Sequence, residues 1–190
     1  IMKSETKRSA YHMENRSDRE RIMQKYLYLS SCLKKEELFH EDTLFLLPGN
    51  IVLNAEGERT SSPLFDMLKA DYALFTYGEY SRMYAEKKQD LRPSVDDMAQ
   101  MFGRRVASRV LPGRTDNACL IQNKGFVVTG RFEKELIAAA LLVEKACRTE
   151  VLAEKIGQIR YLSPVLAEAE HAVYLMKYSK HEKEAADDRR

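Results

Sequence analysis

Residues 118–157 read ACLIQNKGFVVTGRFEKELIAAALLVEKACRTEVLAEKIG, and this stretch decides the fold. Cys119, Leu120 and Ile121 are apolar, Asn123-Lys124-Gly125 interrupts them, and Phe126, Val127, Val128 and Thr129 resume as β-branched or aromatic residues up to Gly130. Two short strands around a tight turn follow, since Asn and Gly supply the backbone freedom such a turn needs. From Phe132 the period lengthens: Leu136, Ala140, Val143, Cys147 and Val151 recur at three and four residues, leaving Glu144, Lys145, Arg148 and Glu154 to face away. The spacing predicts a long helix that stops at Gly157. Its first half, with Ile137, Ala138, Ala139, Leu141 and Leu142, is apolar almost all round, so it is expected to pack between other elements.

The stretch resembles the class II aldolase and adducin head-domain family. There a strand ends in Asn-His-Gly, a second strand follows at once, and a long helix carries Leu-Glu-x-x-Ala; here the same places read Gln122-Asn123-Lys124-Gly125 and Leu142-Val143-Glu144-Lys145-Ala146. The resemblance assigns the family's histidine a metal-binding role, and its position holds Lys124, a cation where a neutral imidazole would donate a lone pair.

Working outward, 190 residues are enough for one well-formed core. Hydrophobic residues make up 44% and charged residues 32%, and acidic and basic side chains intermingle to a net charge of +2. That balance carries no sign of a nucleic-acid or membrane surface. Neither a membrane-length apolar run nor a charged-then-apolar leader is visible, which gives a cytoplasmic expectation. Cys32, Cys119 and Cys147 lie in apolar segments without metal-like spacing and read as buried free thiols. The domain reading is a disordered segment over residues 1–16, one domain over 17–180, and a charged tail over 181–190.

Ser17-x-x-Glu20 has the form of a capping box, and Ile22, Tyr26, Leu29 and Leu33 form a stripe, so a helix is expected over residues 18–33. The family places a glycine-rich phosphate loop after it, whereas here Glu41-Asp42 leads straight into the apolar run Leu44-Phe45-Leu46-Leu47, as if that loop were missing. Gly49-Asn50 is read as a hairpin turn, with a rival alignment taking it as the phosphate loop itself. Thr60-Ser61-Ser62-Pro63 matches the family's Ser-Ser-Glu, in which hydroxyls bind phosphate and Glu moves protons, but Pro63 has no proton to move. Ser62-Pro63 reads instead as the start of a short helix through Leu64, Phe65, Met67 and Leu68. The strand Tyr72-Ala73-Leu74-Phe75 runs into Thr76-Tyr77-Gly78, where the family has the His-x-His metal ligands. A helix is expected around Tyr80 and Ala85, another over residues 98–110, and a last one capped by Ser163-Pro164 with Val165, Leu166, Ala169, Val173 and Met176 on its apolar face.

The fold class expected is a three-layer α/β domain with a mostly antiparallel central sheet and helices on both faces. The resemblance implies that Ser61, Ser62, Thr76 and Lys124 gather into a site friendly to a small anion, with no metal and no cofactor, and that chains assemble into a homo-oligomer, a tetramer in the family. His12, His40, His171 and His181 show no ligand spacing. Two functions are carried forward. One is a non-catalytic binding or structural domain, as the adducin head lacks aldolase activity. The other is a metal-independent aldehyde-lyase on a sugar phosphate or related aldol, with Lys124 as oxyanion-stabilising cation or Schiff-base amine.

Overall fold

The computed structural model describes residues 16–187, with side chains through residue 177. Residues 1–15 and 188–190 lie outside it, and with them most of the segment expected to be disordered. The element order is α1 (Arg16–Lys35), β1 (Leu44–Leu47), β2 (Ile51–Leu53), β3 (Tyr72–Thr76), α2 (Glu79–Glu86), α3 (Asp96–Phe102), β4 (Ala107–Arg109), β5 (Ala118–Ile121), β6 (Gly125–Gly130), α4 (Glu133–Ile156) and α5 (Pro164–Asp187). Six strands form one sheet in the order β2-β1-β3-β6-β5-β4, antiparallel except for the parallel pair β4 and β5. This is the mostly antiparallel α/β architecture expected.

The sheet's two faces are unequal. On one, Phe45, Leu47, Leu74, Leu120, Phe126 and Val128 join Leu29 and Leu33 of α1, Tyr84 of α2, Met98 of α3 and the inner stripe of α4 in a single large core. The five apolar residues picked from the spacing, Leu136, Ala140, Val143, Cys147 and Val151, are all buried there. Each buried side chain of leucine or valine size contributes about 1.5–3 kcal/mol, so the helix is held mainly by this stripe. On the other face a smaller cluster of Leu46, Ala73, Phe75, Cys119, Ile121 and Val127 is closed by Leu64, Phe65 and Leu68, and no helix residue belongs to it.

Four local expectations are corrected. Ser17 is already helical, so it is not the cap of α1. Residues 63–67 form successive turns and not a helix, with Phe65 N–H donating to Ser62 C=O and Leu68 N–H to Phe65 C=O. The helix expected over 98–110 ends at Phe102, because Gly103 takes φ 71° and leaves the chain free to enter β4. The apolar stripe of α5 faces outward: Val165 is 80% exposed, Val173 57% and Met176 58%, while Ala167 is buried and His171 Nδ1 stands 2.6 Å from the Gln100 carbonyl oxygen. The α5 helix also continues through Asp187, into the stretch set apart as a tail.

Pro48-Gly49-Asn50 is the turn joining β1 and β2, with φ of 85° at Gly49 and 59° at Asn50, the conformation that tight hairpins favour. At the β4 edge Asp90 accepts from Ser108 N–H at 2.8 Å and pairs with Arg105 at 2.6 Å, which blunts that edge against further strand pairing.

Candidate functional site

β3 delivers the chain to one end of the sheet, and only Tyr77 and Gly78 separate it from the start of α2. Thr76 is completely buried; its hydroxyl donates to the Leu38 carbonyl and lies 3.4 Å from the Thr43 hydroxyl. Gly78 is the cap of α2 and brings no side-chain acceptor of its own. Glu144, projecting from α4, supplies one instead, accepting from Tyr80 N–H at 2.8 Å and Ser81 N–H at 3.0 Å, while Gly78 N–H donates to the Ser81 hydroxyl at 2.8 Å. A carboxylate at a helix start also meets the positive end of the helix dipole. Glu144 therefore does not face away, as its place on the helix wheel suggested. A Cβ at position 78 would sit 2.3–2.6 Å from that carboxylate, so the clamp requires glycine.

The turn between β5 and β6 sits alongside. Asn123 takes φ 61°, its N–H donates to the Ala85 carbonyl at 3.2 Å, and Lys124 N–H closes the turn on Ile121 C=O at 2.9 Å. Gly125 lies so close to β3 that a Cβ there would be 2.4 Å from the Thr76 carbonyl oxygen, which presses the Lys124 turn against the end of β3.

Ser62 and Lys124 line one cleft of about 520 Å³, together with Asn123, Arg82, Glu41 and Asp42 and an apolar floor that includes Phe75. Ser62 is buried and its hydroxyl accepts from Leu64 N–H at 3.3 Å. Ser61 is exposed and Thr76 is buried, and neither is part of the cleft wall, so of the four residues expected to gather only Ser62 and Lys124 share it. Arg82 was not singled out from the sequence, because an arginine on the exposed face of a short helix carries no local signal. Its guanidinium stands 5.0 Å over the Tyr77 ring, whose other partner is the His40 ring, stacked at 4.0 Å and 6°. Such stacking holds the guanidinium plane while leaving its N–H groups for other acceptors.

The three positions that the resemblance gives to metal ligands do not fit a metal ion. Thr76 has its hydroxyl engaged inside the fold, the space at Gly78 is filled by Glu144, and Lys124 offers an amine on a long exposed chain. Among the described residues no three His, Cys, Asp or Glu side chains gather into a group able to hold a metal ion. Burial disfavours the thiolate at both buried cysteines: it pushes Cys119 up to about 12 and raises Cys147 well above the usual thiol range.

No family model matches the sequence, and no curated protein matches it. Solved structures do. The chain superposes on an L-fuculose 1-phosphate aldolase with a TM-score of 0.64 and 14% identity, covering 86% of this chain and 99% of that one. It matches the L-fuculose-1-phosphate aldolase of Thermus thermophilus at TM-score 0.57 and 12% identity over 72% and 97% of the two chains. An aldolase II superfamily protein from Pseudomonas syringae gives 0.58 and 10% over 93% and 94%. The chain has a class II aldolase-like fold. No described helix is long and apolar enough to cross a membrane.

Proposed function

We propose that this class II aldolase-like domain is a non-catalytic binding protein that takes a small anion in the Lys124 cleft and works as a homo-oligomer without a metal. One observation supports the reading above others: Ser62, Arg82 and Lys124 line a single cleft of ligand size, while the positions that the resemblance gives to metal ligands hold a threonine, a glycine and a lysine. A hydroxyl beside an ammonium and a guanidinium suits phosphate or carboxylate. Glu41 and Asp42 share the cleft and oppose a highly charged anion, so binding is expected to be weak.

Titration with inorganic phosphate tests this. Binding is expected in the wild type, with a loss of about tenfold or more in Lys124→Met, as for removal of one charge-assisted partner. Borohydride added with dihydroxyacetone phosphate is expected to trap no adduct. A reduced adduct on Lys124, absent from Lys124→Met, would overturn the non-catalytic reading in favour of an amine-dependent lyase. So would one zinc per chain by elemental analysis, in favour of a metal enzyme.

A further inference from the structure

The Lys124 cleft has an apolar side that a bare anion would leave unused. The smaller cluster on the second face of the sheet is closed by Leu64, Phe65 and Leu68, all from the connection between β2 and β3. That cover ends at the cleft, where Leu64 and Phe75 of the cluster, with Leu44 packed against it, reach the lining. Val110 and Leu111, in the bend that follows β4, line the same cleft and are 72% and 44% exposed. A large aliphatic side chain standing singly at a surface is ordinary, because a protein has too little polar surface to cover itself. Two in succession, lining one cleft with the edge of a core cluster, form the kind of exposed apolar surface that marks a ligand groove.

The charged groups of the cleft restrict the other end of a ligand. Arg82 enters from α2 and Lys124 from the turn between β5 and β6, so an anion has two cations to meet. Glu41 and Asp42, from the connection between α1 and β1, share the lining and oppose a second negative charge. A single carboxylate therefore suits the cleft better than a phosphate dianion. A body rich in hydroxyls would set some of them against carbon on the side of Phe75, where they would lose water and gain no partner.

We propose, resting on the anion-binding reading of this same cleft, that its ligand is an apolar monocarboxylate. The carboxylate lies toward Lys124 and Arg82, and a hydrocarbon body of about aromatic-ring size lies on Phe75, Leu64, Val110 and Leu111. The cleft volume of about 520 Å³ is in the range of small-molecule sites, which combine an apolar wall with a few polar groups that fix orientation.

Titration with phenylpropionate, set against acetate and inorganic phosphate and followed by amide NMR shifts, tests the assignment. Phenylpropionate is expected to bind at least about tenfold tighter than acetate, the effect of taking one ring partly out of water. Val110 and Leu111 are exposed, so Val110→Ser/Leu111→Ser is expected to fold, and in it the gap should close to about threefold or less. Equal affinity for phenylpropionate and acetate, or a gap that this variant leaves intact, overturns the inference, while phosphate binding in the same series leaves the anion reading standing. Phenylpropionate binding that Lys124→Met does not weaken, or no shift with any of the three anions, overturns both.

Discussion

Gly78 and Glu144 should behave as one energetic unit. The backbone at Gly78, φ −117° and ψ −174°, is extended and suits any residue, so the cost of Gly78→Ala comes only from its neighbour. The new methyl would lie 2.3 Å from the Glu144 carboxyl carbon, against the 3.4–4 Å of ordinary contact. It must drive the carboxylate off Tyr80 N–H and Ser81 N–H, bonded at 2.8 and 3.0 Å. Two hydrogen bonds to a charged acceptor contribute about 1.5–3 kcal/mol each, and half-exposure of the site brings the expected loss to about 3 kcal/mol in total. Glu144→Ala loses the same two bonds and should cost about the same. In the double variant the bonds can be lost only once and the methyl fits the vacated space, so its cost should stay near about 3 kcal/mol, a coupling of about 3 kcal/mol. Urea unfolding of the four proteins followed by circular dichroism measures this, provided the slopes agree. Additivity within about 0.5 kcal/mol, or a neutral Gly78→Ala, would refute the clamp.

Other outcomes follow from single groups. Glu150 is 4% exposed, accepts from Tyr161 hydroxyl at 2.9 Å through one oxygen and leaves the other unpartnered, and burial raises its pKa above the usual carboxylate value. A raised folded-state pKa contributes stability below the unfolded value of about 4.3 and loses it as pH rises through the folded value. Glu150→Gln should therefore be more stable than wild type at pH 7, and the difference should vanish near pH 4; a constant difference across that range would contradict the argument. Val173 is exposed on α5, so Val173→Ser should change stability by less than about 0.5 kcal/mol in dilute solution, where a core valine would cost more than about 1 kcal/mol. Light scattering at micromolar concentration is expected to give a multiple of the 22.0 kDa chain mass, and the chain mass itself would refute the homo-oligomer.

What the sequence determined by itself is local and periodic. The change from period two to period 3.6 after Gly130 specifies the β5-β6 hairpin and α4, since side-chain direction repeats with the backbone geometry and the buried stripe can be counted off the chain. Asn123 and Gly49-Asn50 mark their turns for an equally local reason, the few residues that adopt positive φ at low cost. Where a helix stops was less legible: residues 98–110 have helical spacing, but β4 is recruited into the sheet by β5, and strand pairing prevailed over propensity. The outward stripe of α5 misled for the same reason, since periodicity says that a face is apolar and not which neighbour will cover it. Glu144 meets its amides across 63 and 64 residues of chain, and Arg82 reaches the Lys124 cleft from another element. Such contacts depend on the distance between elements after packing, which no spacing along the chain encodes, so the frame could be read from residues while the site's working partners came only from tertiary structure.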